Sequence, residues 1–241
     1  MVELASWLTA LPVLLAAAAI TWGISVMQRN VTIVDTLWPV LFIFAAVTYA
    51  AAGPAGPRAW LLVALVGLWG ARLAIYLAWR NFGHDEDRRY QAIRRRNEPN
   101  FAVKSLYLIF GFQAVLAWVI SLPLAGAATG NPPLGWLDAA GVAAWVVGIV
   151  FEAGGDWQLA RFKRDPANAG QVMDRGLWRY TRHPNYFGDF CVWWGFYLMA
   201  LAAGAWWTIV GPLIMSFLLL RFSGVRLLER GVHRLFHPMM P

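Results

Sequence analysis

Ala59-Trp60-Leu61-Leu62-Val63-Ala64-Leu65-Val66-Gly67-Leu68-Trp69-Gly70-Ala71-Arg72-Leu73-Ala74-Ile75-Tyr76-Leu77-Ala78-Trp79-Arg80 holds one charge, Arg72, before its terminal Arg80. As a helix it rises about 33 Å at ~1.5 Å per residue, enough to cross a hydrocarbon core ~30 Å thick. Apolar side chains cover its whole circumference, so no face is left for water. Gly53-Pro54-Ala55-Gly56-Pro57-Arg58 before it cannot continue a helix, and polar residues 81–100 follow it. This is a membrane-crossing segment.

The same reading extends in both directions. Apolar runs cover residues 4–27, 31–52, 59–80, 101–127, 134–158, 185–203 and 205–225, with breaks at Gln28-Arg29-Asn30 and Gly130-Asn131-Pro132-Pro133. Of 241 residues, 59% are apolar and 14% charged, against roughly 25% charged in soluble domains. Composition therefore excludes a disordered chain and a nucleic-acid-binding arm, and predicts an all-α bundle of seven transmembrane helices in one domain, 1–241. Its surroundings are membrane lipids and no nucleic acid is a partner. Met1-Val2-Glu3 lacks the basic start of a secretory signal, so the first run reads as a retained span. Cys191 is the one cysteine and reads as a packing residue.

The net charge of +7 comes from 20 Lys+Arg against 13 Asp+Glu. With seven spans, every basic residue except Arg58 and Arg72 falls on one side. The basic bias of cytoplasmic loops then puts the N-terminus outside and the C-terminus in the cytoplasm, as for a bacterial inner-membrane protein. Asp35, Arg72, Glu152, Asp156, Asp189 and Arg221 lie within the runs, each in its cytoplasmic half. Charges inside a membrane are expensive and are functional candidates by default. Side by side, these helix ends make a polar basin under an apolar half, roofed by basic loops that favour a polyanion. No phosphate-loop, dinucleotide or nucleophile-elbow motif is present. His84, His183, His233 and His237 are too scattered for a metal. Any redox chemistry would come from a soluble cofactor.

Residues 176–189 read Gly-Leu-Trp-Arg-Tyr-Thr-Arg-His-Pro-Asn-Tyr-Phe-Gly-Asp. Pro184 can open a helix whose N-terminus, flanked by Arg179, Arg182 and His183, presents free N–H groups to a phosphate. Arg182-His183-Pro184-Asn185-Tyr186-Phe187-Gly188-Asp189 resembles the R-H-P-x-Y-x-G-[DE] segment of steroid 5-alpha-reductases, sterol reductases and isoprenylcysteine carboxyl methyltransferases. Leu68-Trp69-Gly70-Ala71-Arg72-Leu73, Glu86-Asp87-Arg88-Arg89-Tyr90, Val34-Asp35-Thr36-Leu37-Trp38-Pro39 and Ser223-Gly224-Val225-Arg226-Leu227-Leu228-Glu229 resemble further patterns of the bacterial steroid 5-alpha-reductase branch.

That resemblance implies a reductase binding NADPH on the cytoplasmic side and passing hydride to the C=C bond of an enone lipid, a 3-oxo-Δ4 steroid above all. Carried over by position, Arg72, Arg88, Asp156, Lys163, Arg182, His183, Asn185, Tyr186, Asp189 and Glu229 are cofactor-binding, with Lys163 and Arg164 suited to the 2′-phosphate. The family polarises the substrate ketone with a glutamate and a tyrosine. Here Asp35, expected protonated in an apolar setting, stands nearest the first. Trp69 occupies the tyrosine's place and Tyr76 substitutes for it, so Asp35 and Tyr76 are the catalytic expectation. The tail 229–241 departs from the branch's tyrosine-containing close. Two rival readings are an S-adenosylmethionine-dependent methyltransferase, which shares the R-H-P segment, and a non-enzymatic sterol- or lipid-binding membrane protein.

Overall fold

A computed structural model describes residues 4–221 apart from 55, 130 and 131. Among the described residues every regular element is helical. The chain begins with α1 (Leu4–Leu8) and α2 (Ala10–Gln28), and α2 ends at Arg29, which adopts a left-handed conformation with φ 51°. The helices α3 (Ile33–Ala52) and α4 (Pro57–Asn81) follow, and Pro57 opens α4 from its first position. α5 (Arg88–Asn97) is short and polar. Next come α6 (Phe101–Ser105), a π-helical turn (Leu106–Gly111), α7 (Phe112–Ile120) and α8 (Leu122–Thr129). Two long helices, α9 (Trp136–Arg164) and α10 (Pro184–Ala202), precede α11 (Val210–Arg221).

Among the described residues, five segments are long and apolar enough to cross a membrane: Ala5–Gln28, Ile33–Ala52, Pro57–Asn81, Phe101–Ile120 and Trp136–Arg164. They carry exposed apolar side chains such as Ile20, Leu68, Ile75 and Val150 on their outer faces, as in an integral membrane protein. α10 is 19 residues long, but Asn185, Asp189 and its several Trp and Tyr residues make it less apolar than these five.

Two expected runs change shape. The fourth does not continue through residue 127. α7 stops at Ser121, because Pro123 has no N–H to give Val119 and its ring crowds that turn. The Ser121 hydroxyl bonds the Trp118 carbonyl at 2.7 Å and the Tyr49 hydroxyl at 2.8 Å. Residues 122–128 of α8 are all buried, so α8 fills the bundle. The fifth run extends to Arg164 instead of ending at 158, since no breaker precedes Asp165-Pro166.

α9 and α10 form the most extensive helix pair, running antiparallel, with α3 against α4 next. Glycines set that closeness. They recur every seven residues at 141, 148 and 155 on α9 and at 188 and 195 on α10. A Cβ on Gly188 would lie 2.5 Å from the Gly148 carbonyl oxygen, and one on Gly195 2.6 Å from that of Gly141. No larger side chain fits while the backbones touch. Beside this seam Phe42, Trp69, Trp193 and Phe196, all buried, pack with ring centroids 4.6–6.4 Å apart.

At the end of the bundle where α4 and α9 begin, Arg58 is buried with Asp138. Its Nε and Nη2 donate to the two carboxylate oxygens at 2.7 and 2.9 Å, and Nη1 and Nη2 also reach the carbonyls of Pro132 and Pro133. Asp138 in turn accepts from the Gly135 N–H at 2.8 Å. The basic residue that the charge bias left on the opposite side is therefore neutralised within the fold.

Candidate functional site

The polar site lies at the other end, where α4, α9 and α10 meet. Trp69, Arg72 and Tyr76 share one face of α4 at helical spacing. Glu152 and Asp156 share one face of α9 and are both buried. Arg72 bridges them. Nη2 pairs with Glu152 Oε1, and Nη1 donates to Asp156 Oδ2 at 2.9 Å. The indole N–H of Trp69 donates to Glu152 Oε2 at 3.0 Å. From the first turn of α10, Asn185 Nδ2 reaches Asp156 Oδ1 at 3.4 Å. Asp189, one turn further, faces Glu152 across the glycine seam.

The seam puts these groups together. A Cβ on Gly188 would also lie 2.5 Å from the Glu152 nitrogen, and one on Gly155 3.0 Å from Pro184 Cγ. The connection before α10 is tied to the same helix. Trp178 Nε1 donates to the Gly155 carbonyl at 3.0 Å, and the Leu177 N–H to Gln158 Oε1 at 2.9 Å. Among the described residues, the buried polar atoms without a hydrogen-bond partner include four at this site, Arg72 Nε, Asn185 Oδ1, Asp189 Oδ1 and Trp193 Nε1. Buried polar atoms are almost always bonded; the Trp193 indole N–H and Asp189 lie beside each other, which leaves Arg72 Nε and Asn185 Oδ1 as the donor and acceptor open to a ligand. Among the described residues no group of three His, Cys, Asp or Glu is arranged to hold a metal ion.

A second network clamps α5 over the start of α3. Tyr90 donates its hydroxyl to Asp35 Oδ1 at 2.5 Å, and Arg89 Nη2 reaches Asp35 Oδ2 at 3.2 Å. Asp87 caps α5 by accepting the Arg89 N–H at 2.8 Å, and its own N–H bonds Thr32 Oγ1. Glu86 accepts from Arg94 at 2.7 and 2.9 Å and from the Val31 N–H at 3.0 Å. Burial alone would raise the Glu86 carboxyl, but Arg94 and the Val31 N–H outweigh it and hold it below the usual carboxylate range. Burial and the neighbouring Asp35 carboxylate push the Tyr90 hydroxyl up.

A profile described as "Protein of unknown function (DUF1295)" matches residues 21–238. The chain belongs to the DUF1295 family. The match spans every residue of both networks. This DUF1295 chain is also 27% identical over 232 residues to "Uncharacterized protein C594.04c" of Schizosaccharomyces pombe, an alignment covering 80% of the chain and 66% of that protein. It thus spans slightly less than two thirds of the relative's length. No solved structure matches it.

Of the residues expected at a cofactor site, Arg72, Asp156 and Asn185 are in direct contact, and Asp189 adjoins them through Glu152. Tyr186 packs on the core and stacks on His183 with ring centroids 5.2 Å apart. Arg182 stands at the approach to α10, while Lys163 and Arg88 are exposed on the last turn of α9 and the first turn of α5. Glu229 lies outside the described residues, as do Ser223 to Leu228, His233 and His237. Tyr76 is half-buried one turn beyond Arg72, with the Arg80 guanidinium 6.0 Å from its ring centre.

The apolar setting expected for Asp35 is not what surrounds it. Both of its oxygens are taken by Tyr90 and Arg89, so its carboxylate holds α5 in place. The cofactor set expected from the sequence lacked Trp69 and Glu152, although Glu152 stood among the charges within the runs, and it named Arg88 where Arg89 is the arginine that pairs with Asp35. The complementary spacing of Trp69/Arg72 and Glu152/Asp156, with glycines at seven-residue intervals beside the latter, was the available signal.

Proposed function

We propose that this protein is a seven-span membrane reductase, resembling the steroid 5-alpha-reductases, that uses NADPH to saturate the C=C bond of an enone lipid. The spans follow those named from the sequence, with the fourth ending near Ile120 and the fifth reaching Arg164, the N-terminus outside and the C-terminus and cofactor site facing the cytoplasm of a bacterial inner membrane. One observation carries the reading: the helix opened by the R-H-P-N-Y segment meets α9 so that Arg72, Asp156 and Asn185 form one polar floor under an aromatic, apolar core.

The groups there fit a dinucleotide. Arg72 Nε and Asn185 Oδ1, a donor and an acceptor without partners, match hydroxyl and amide groups of a nicotinamide riboside. Arg182, Lys163 and Arg164 stand at the basic approach where phosphates would lie. NADPH would supply the hydride. The chain's part is to orient the ring with Arg72 and Asn185, to exclude water with the aromatic cluster, and to place a donor such as Tyr76 near the developing oxyanion. A 3-oxo-Δ4 steroid is the first substrate to test.

A second reading has its own support. Three carboxyls, Glu152, Asp156 and Asp189, surround one guanidinium, an acceptor-rich setting that suits the cationic sulfonium of S-adenosylmethionine. Quenching of tryptophan fluorescence in purified protein separates the two. Saturable quenching by NADPH, weakened by Asn185→Ala, is expected. Selective binding of S-adenosylmethionine instead would overturn the reductase. Bound NADPH that no enone ever consumes would favour a lipid-binding protein.

A further inference from the structure

α9 is longer than a membrane requires. Its 29 residues span about 43 Å at ~1.5 Å each, and a hydrocarbon core of ~30 Å takes up about 20 of them. The remainder, from about residue 156 to Arg164, stands in the headgroup layer. There it forms a cleft of about 460 Å³ with the segment that folds back after it.

The cleft is basic and its cations are unspent. Arg161, Arg164 and Arg175 line it against one carboxylate, Asp165, which accepts the Ala167 N–H. Among the described residues neither Arg161 nor Arg164 forms an ion pair. Indoles hold both, with Arg161 5.6 Å over Trp157 and Arg164 5.2 Å over Trp79. Arg175 is 81% exposed and reaches only the equally exposed Asp174, at 3.9 Å.

The face of α9 decides what this cleft meets. Val146, Val150, Trp157, Arg161 and Arg164 recur at helical spacing along one stripe. Its apolar members stay open, Val150 at 57% and Trp157 at 61% exposure. Gly141, Gly148, Glu152 and Gly155 occupy the opposite face, against α10. The stripe is therefore an apolar track for an acyl chain, capped by an indole and then by arginines at headgroup height.

We propose that this cleft binds the phosphate of an anionic phospholipid, with Arg161 and Arg175 recognising the headgroup and Trp157 flanking its upper acyl chain. A nucleotide offers the same phosphate chemistry, but the open apolar track below favours the lipid. The assignment rests on the chain spanning a membrane and not on the reductase reading.

Retention of lipid by the purified full chain, read by native mass spectrometry, tests it. Phosphatidylglycerol and phosphatidylcholine of matched acyl chains are offered to wild type and to an Arg161→Gln/Arg175→Gln variant, both at exposed positions. Each arginine near an anionic lipid is worth about a fivefold preference, so wild type should favour phosphatidylglycerol by roughly 20-fold or more, and the variant, which keeps Arg164, by about fivefold or less. Quenching of Trp157 by brominated phosphatidylglycerol, taken as the difference from Trp157→Phe, should fall in parallel. Equal retention of the two lipids by wild type, or an unchanged preference in a variant that melts with wild type, overturns the proposal. Displacement of phosphatidylglycerol by NADP⁺ or by inorganic phosphate also overturns it, by giving the cleft to a soluble phosphate. If NADPH never binds while the lipid preference holds, only the reductase reading falls.

Discussion

Substituting Gly188 by alanine is the sharpest test of how the site is built. The added Cβ would sit 2.5 Å from both the Glu152 nitrogen and the Gly148 carbonyl oxygen, and 2.7 Å from Glu152 Cβ. Two of these are backbone atoms of α9 and cannot swing aside. Restoring ordinary contact at 3.4 Å requires α10 to withdraw by about 0.9 Å. Because the clash is with backbone, the cost falls in the upper part of the range for overpacking, about 2–3 kcal/mol, and alanine regains up to ~1 kcal/mol of helix propensity. A net loss of about 1–2 kcal/mol follows, and at ~2–4 °C per kcal/mol for a chain of this size the apparent Tm should fall by about 2–8 °C. The same withdrawal stretches the 3.4 Å contact between Asn185 and Asp156 beyond hydrogen-bonding reach. Thermal unfolding in detergent, followed by tryptophan fluorescence, reads the shift. Gly23→Ala is the control, since nothing lies within 4 Å of its Cβ, and it should melt at or above wild type. A Gly188→Ala protein that melts with that control would refute the close α9–α10 seam.

Three further outcomes are expected. Arg58→Ala leaves Asp138 buried without its cation and should destabilise by about 3–5 kcal/mol, whereas Arg58→Leu/Asp138→Leu should recover much of the loss. Trp69→Phe keeps the aromatic packing but removes the donor to Glu152 Oε2, costing about 1–3 kcal/mol. Its Tm should drop where Trp60→Phe, at an exposed position, leaves it unchanged. Glu86 and Asp87 both sit below the usual carboxylate range, so the unfolded chain takes up their protons first. Their stabilisation is complete above the unfolded values of about 4 and is lost as pH falls through the lower folded ones. Unfolding midpoints should therefore decline below about pH 4, and Arg94→Gln, which removes the partner of Glu86, should flatten that decline.

Much of the fold was legible because its signals are local. Pro57 after a glycine marks the start of α4, Gln28-Arg29-Asn30 the end of α2, and a single charge in 59–79 a helix that crosses apolar surroundings. Ser121-Leu122-Pro123 was equally local, yet the apolar run through it hid the break that frees α8 to fill the bundle. Contacts between helices were less legible. Arg72, Asp156 and Asn185 were chosen residue by residue, whereas their meeting depends on glycines at 148, 155 and 188 that let two backbones touch. Asp35 shows the same limit from the other side. Its place near the start of a span suggested an isolated acid, and only the folding of α5 across it brings Arg89 and Tyr90 to its oxygens. Arg88 and Arg89 differ by 100° around that short helix, and no periodicity in so polar a segment says which one turns inward.

Transfer of deuterium from the cofactor to the lipid reads hydride transfer by this protein directly. The purified protein in lipid nanodiscs is given NADPH deuterated at the transferable C4 position together with a 3-oxo-Δ4 steroid, and the product is examined by mass spectrometry and NMR. One deuterium is expected at the β-carbon of the saturated ketone, with yield abolished by Arg72→Gln and reduced by Asn185→Ala. A protein that binds no NADPH, or a saturated ketone bearing no deuterium at that carbon, would contradict the reductase reading.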